Sequence, residues 1–219
     1  MLTAAYAAFA LAELALAVWA FRLYRRRPSA GALALFLPIA ALVWDNTVVA
    51  IGGLVGEGML LQALTYPRFV GHAFLTPIWT VAAVAFVGRA DALGARRQAL
   101  EKASWGLYAL LVVYGVVDAL VLLDLAPVRQ ADILYYTNAG GIAGPPVPAI
   151  VMVLVTIVCG ALVLKAIRWP WMLVGALFML VTAAIPTNVV GFVVSNSGEV
   201  VLGLTLVATE WRLQQREGV

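Results

Sequence analysis

Residues that usually build metal centres and disulfide frameworks are nearly absent from this chain of 219 residues. It has one cysteine, Cys159, and one histidine, His72. A lone cysteine excludes an intramolecular disulfide. One histidine and one cysteine leave no cluster for zinc or for an iron–sulfur centre. A haem held by two histidines is excluded as well, while a single axial ligand stays open. The only lysines, Lys102 and Lys165, fall at the ends of apolar runs, so no mid-span lysine is available for a retinal Schiff base. Ser104, Ser195 and Ser197 sit at run ends too, which leaves a Ser/His/Asp hydrolase without a persuasive nucleophile. No internal repeat of the kind many transporters carry is visible. The scarcest commodity is charge: 11% of residues are charged and 64% are hydrophobic. A soluble domain of this size has no use for so much apolar surface, so the composition points to a polytopic helical membrane protein.

A helix rises about 1.5 Å per residue, and roughly 20 apolar residues cross a hydrocarbon core. By that measure the sequence predicts an all-α bundle of seven transmembrane helices forming one domain. The spans are about 2–21, 31–54, 69–88, 104–125, 147–167, 170–192 and 197–214, with Pro186 expected to kink the sixth. No basic region precedes the first run, so it reads as a retained helix and not a cleaved signal peptide. Twelve of the fourteen Lys and Arg fall in alternate connections and at the C-terminus; only Arg68 and Arg129 lie on the other side. The positive-inside rule then predicts an outside N-terminus and a cytoplasmic C-terminus. The net charge of +3 is thereby explained as a topology signal, and nucleic acid is dropped as a partner.

That orientation sorts the polar residues by depth. Asp45, Asn46, Glu57, Arg68, His72, Asp118, Asn188 and Glu199 are all expected in the outer half of the membrane. Ionisable residues inside a bilayer are rare and mark sites or pathways. Arg68 and His72 are one helical turn apart and share a face, which Thr76 and Trp79 are expected to continue. Tyr114 and Asp118 stack in the same way. Tyr6, Phe9 and Glu13 form a stripe on the first span. Asp45 and Asn46 point about 100° apart, so one can face a cavity while the other bonds a neighbouring helix. The connection 126–146, with Tyr135, Tyr136 and Asn138, is longer than usual. It reads either as a lid or re-entrant segment over the polar cluster or as a disordered loop.

A carboxyl group in apolar surroundings tends to keep its proton and can act as a general acid. Aromatic faces attract cations. Together these meet the needs of a proton-initiated polyene cyclisation on a lipid-soluble substrate entering from the bilayer. The blocks WDN (44–46), GEG (56–58) and PRFVGHAFLTP (67–77), with the short seven-span architecture, resemble the small integral-membrane terpene cyclases of bacterial indole–terpenoid and fungal meroterpenoid pathways. The resemblance runs along essentially the whole chain. It implies a bacterial-type plasma-membrane enzyme, free of metal and cofactor, that protonates a prenyl tail carried on a polar head group. Its matching acids are Asp45 and Glu57. On this reading Asp118 takes the final proton, while Asn46, Arg68 and His72 orient or tune the acid. Trp44, Trp79 and Tyr114 stabilise cationic intermediates, and Tyr135 and Asn188 complete the substrate site. The competing reading is a proton-coupled small-molecule transporter or sensor using the same carboxyls. Membrane lipids are expected partners on either reading, and the oligomeric state stays open.

Overall fold

The computed structural model describes residues 1–143, 146–185 and 191–218. Within them the chain is helical apart from one hairpin. Helix α1 spans Leu2–Arg26 and α2 spans Ala30–Val55. Between them Ser29 caps α2, its side chain accepting from the Ala32 amide at 3.1 Å. This satisfies one of the amides that the first turn of a helix leaves free. Helix α2 stops at Gly56 (φ 80°), and Gly58 (φ 143°) precedes α3, Met59–Phe74. Side chains with a Cβ rarely take such angles, which makes the GEG block a turn element. A single 3-10 turn at Thr76–Ile78 separates α3 from α4, Trp79–Arg89. Helix α5, Arg97–Val116, ends in a π-helical turn at Val117–Val121. The strands β1 (Leu125–Gln130) and β2 (Ile133–Asn138) pair antiparallel, and α6 (Val147–Ile167), α7 (Trp171–Ala183) and α8 (Val193–Arg216) follow.

Five helical stretches are long and apolar enough to cross a membrane: Leu2–Arg26, Ala30–Val55, Met59–Arg89, Gly94–Val121 and Val147–Ile167. The all-α expectation holds with the hairpin added. The boundaries shift where the sequence used hydropathy alone. The third expected span starts earlier, at Met59, because Gln62 and Tyr66 do not stop a helix from forming. Helix α7 is apolar but short. Helix α8 has the length to cross but carries Glu199, Glu210 and Arg212. The expected kink at Pro186 lies outside the described residues.

The core lies between α1, α2, α4, α6, α7 and α8, around Leu35, Ile39, Trp79, Phe86, Met172 and Leu206. Helix α5 is the outermost, burying only Ser104, Leu111 and Gly115. The two ends of the bundle differ. At one end the start of α1 meets the hairpin: the Leu2 amide donates to Asp132 Oδ1 at 2.8 Å, and Thr3 Oγ1 donates to the Asp132 carbonyl at 2.9 Å. At the other end Arg89 donates to Glu210 at 2.5 Å and, through Nη2, to Glu217 at 2.8 Å, and Arg27 also pairs with Glu217. Gln214 ties Glu210 (2.7 Å) to the Leu23 carbonyl (2.9 Å). The first residues and the last thus stand at opposite ends, the latter among the basic residues that follow α1 and α4.

Candidate functional site

A cavity of about 800 Å³ opens between the hairpin and the hairpin-side ends of the helices. Its polar wall starts on α2. Asp45 is buried, and its Oδ1 accepts from Arg68 Nε at 2.7 Å and meets His72 Nε2 at 3.3 Å. Arg68 and His72 reach the same atom because they are one turn apart on α3. Thr76 Oγ1 lies 3.4 Å from His72 Nδ1, so the far ring nitrogen also has a partner. The guanidinium contact is a charge-assisted hydrogen bond, stronger than a neutral one. Arg68 Nη1 also approaches the Tyr136 carbonyl at 3.5 Å, linking the cluster to β2.

Asn46 turns away from the cavity, as the angle between adjacent helical residues requires. Its Nδ2 donates to Glu13 Oε2 on α1 at 2.8 Å, and its Oδ1 accepts from Asn196 Nδ2 on α8 at 2.9 Å. A fully buried amide thus joins three helices. One turn further along α8, Glu199 lines the cavity. Its Oε2 is buried and has no hydrogen-bond partner among the described residues.

The hairpin closes the site from above. Tyr135 and Tyr136 are buried and line the cavity, and Tyr135 packs edge-on against Phe192 with ring centroids 6.1 Å apart. Burial pushes the Tyr135 phenol above its ordinary range, keeping it a neutral hydroxyl. Strand β2 approaches closely because α2 has Gly52 beneath it: a Cβ there would lie 1.9 Å from the Leu134 carbonyl oxygen. The far wall is built from Tyr114, Gly115, Asp118 and Ala119 on α5 and its π turn, with Met179 and Ala183 from α7. Asp118 Oδ1 accepts the Ile142 amide at 2.6 Å, and Asn138 Nδ2 donates to the Asp118 carbonyl at 2.8 Å.

Of the residues expected at a site, Asp45, Arg68, His72, Tyr114, Asp118 and Tyr135 are brought together around this cavity. Four others are not. Glu57 stands outside on the GEG turn, its side chain 47% exposed and 3.3 Å from Arg129 of β1; the turn carries it past the end of α2 and over the hairpin's outer side. Trp44 points away from Asp45 and donates its indole N–H to the Leu64 carbonyl at 3.1 Å. Trp79 is sealed in the core with its N–H on the Leu35 carbonyl at 3.3 Å. The 3-10 turn before α4 has fewer residues per turn than an α-helix, so the face of Arg68 and His72 does not continue to it. Asn46 is a link between helices and not a cavity residue. Asn188 lies outside the described residues.

Tyr6, Tyr136, Asn196 and Glu199 also line the cavity but were not singled out as site residues. Tyr6 and Glu199 were visible as intramembrane polar residues. Asn196 carried no signal beyond its amide. Among the described residues no group of three or more His, Cys, Asp and Glu side chains is arranged to hold a metal ion. Compared with known protein families and with curated proteins, the chain finds no match to either.

Proposed function

We propose that the chain is an integral membrane enzyme that cyclises a prenylated, lipid-soluble substrate by acid–base chemistry without metal. The observation that carries this reading is the cavity itself. About 800 Å³ is within the range of small-molecule sites. It sets one charged cluster, Asp45–Arg68–His72, against a wall of small and aromatic side chains. The cluster supplies donors for a polar head group, and its internal ion pair keeps the net charge low in an apolar setting. Tyr6, Tyr114, Tyr135 and Phe192 line the cavity, which suits a cationic chain because aromatic rings attract positive charge. The shallow burial of α5 suits entry of an isoprenoid tail from the lipid. By the positive-inside rule the basic end, with Arg27 and Arg89, faces the cytoplasm and the hairpin faces outward, with α7 and α8 completing seven crossings.

The reaction conserves atoms. A cavity acid protonates a terminal alkene carbon or epoxide oxygen, and the resulting tertiary cation is attacked by the next alkene to close a ring. A carboxylate, a role we give to Asp118, then removes the last proton. Product analysis of membranes given a prenylated indole tests this. The expected result is a cyclised product of unchanged mass that is lost in Asp45→Asn. Uptake or proton flux without a new product would overturn it in favour of a proton-coupled transporter. An Asp45→Asn protein that keeps full activity but melts earlier would reduce the cluster to a tie between helices.

A further inference from the structure

Three carboxyl side chains line the cavity among the described residues: Asp45, Asp118 and Glu199. They are not equivalent. A proton donor needs a carboxyl group that no cation and no backbone N–H holds in its charged form, because hydrogen bonds to a carboxylate favour that form. Asp45 Oδ1 is claimed twice, by Arg68 and His72. Asp118 Oδ1 is claimed by the Ile142 amide. Glu199 Oε2 is buried and has no hydrogen-bond partner among the described residues. A fourth acid, Glu13, has an unpartnered Oε1 as well, but it is sealed between helices and does not line the cavity.

We infer that Glu199 is the catalytic acid of this cavity and that Asp45 is a positioning residue. The inference rests on the cyclase reading above. Placement follows from α8: Glu199 is one turn beyond Asn196, whose side chain is fastened to Asn46. The chain Glu13–Asn46–Asn196 therefore sets the rotation of α8 and with it the direction of Glu199. Sharing the cavity with that carboxyl are Tyr6 from α1, Asp45 from α2, Arg68 and His72 from α3, and Tyr135 from β2. In the initiating step the Glu199 O–H bond breaks and its proton goes to the terminal alkene carbon. The alkene π pair forms the new C–H bond, and the carboxylate left behind balances the cation. After ring closure Asp118 takes a proton from the last cation. Return of that proton to Glu199 restores the enzyme, so no oxidant or reductant is consumed.

Two measurements test the assignment separately from the cyclase reading. The first is labelling of membranes with dicyclohexylcarbodiimide, an apolar reagent that adds to protonated carboxyl groups, followed by peptide mass spectrometry. The expected adduct is on Glu199, with none on Asp45 or Glu13, and a prenylated indole protects against it. An adduct on Asp45 alone, or on no cavity acid, would overturn the assignment. The second compares turnover of prenylated indole in Glu199→Gln and Glu199→Asp. The expected loss in Glu199→Gln is about 100-fold or more in kcat with KM little changed, the usual size for a general acid. The alkaline limb of the pH profile, which reports loss of the proton from the general acid, disappears with it, and Glu199→Asp recovers part of the rate. Full turnover in Glu199→Gln overturns the assignment and leaves the cyclase reading standing. Labelling of Glu199 in a protein that cyclises nothing removes the cyclase reading and leaves Glu199 as the reachable acid.

Discussion

Asp45 illustrates how little a residue's identity says about its duty. Read along the chain, an aspartate in an apolar helix is a candidate proton donor. With Arg68 at 2.7 Å and His72 at 3.3 Å it is a counter-ion. Removing one partner of a buried pair strands the other, at about 3–5 kcal/mol. Asp45→Ala is accordingly expected to lower the melting temperature in detergent sharply, and Asp45→Ala/Arg68→Met to recover much of the loss, because the guanidinium is then no longer stranded without its carboxylate. Equal melting of the single and double variants would refute the pairing. Gly52 makes the same point without charge. The only room above it is filled by the Leu134 carbonyl. Gly52→Ala is expected to cost about 1–3 kcal/mol through overpacking and to loosen the hairpin, read as faster hydrogen exchange at 125–138.

At the scale of elements, the hairpin is the part that sequence reading left between lid and loop. Adjacent strand residues face opposite sides, and both sides of β2 are covered here: Tyr135 packs with Tyr6 and Val49, Tyr136 with Val48 and Leu61, while Asp132 ties the tip to the start of α1. The Asp132 carboxyl is held well below the usual range by the chain's amino group and by the Leu2 and Thr3 amides. A lowered folded value means that the tie is present above the ordinary aspartate range of about 3.9 and is lost only as pH falls through the lower value. Hairpin protection is therefore expected to stay constant from neutral pH down to that range and to fall in more acid solution. Asp132→Asn, in contrast, should weaken it already at neutral pH. The clamp at the opposite end behaves alike. Burial works to raise Glu217, but hydrogen bonds from Arg89 and the charges of Arg89 and Arg27 outweigh it and hold it low. Arg89→Ala leaves the buried Glu210 without its cation and should cost about 3–5 kcal/mol. Ligand contacts should be untouched, since the cavity lies at the far end.

For the whole molecule, the division into a basic end and a hairpin end is what a membrane would orient. In a Cys159→Ala background, Glu57→Cys is expected to react with an impermeant maleimide on intact cells, and Lys102→Cys only after permeabilisation. The reverse pattern would invert the topology and place the cavity toward the cytoplasm. Either way the cavity sits where α3 and α8 are each pinned to α2 by polar contacts and α5 is loosely held. That asymmetry is the reason a tail is expected to pass α5 and not the core.

Composition and periodicity alone determined the helical class, most helix positions and the two poles of charge, because hydropathy and charge act locally and need no partner. They also identified Arg68 with His72, and Tyr114 with Asp118, as pairs sharing a face, since spacing on one helix is a local property. Which of Asp45 and Asn46 turned inward could not be read, because helix rotation depends on what packs alongside. Trp79 failed for a related reason: one 3-10 turn changed the phase of the helix after it. Glu57 looked like a site acid and became a surface partner of Arg129, which only the path of the hairpin decided. Glu199 was visible as a charge, but its lack of a hydrogen-bond partner among the described residues is a relation among helices far apart in the chain, and only packing creates it.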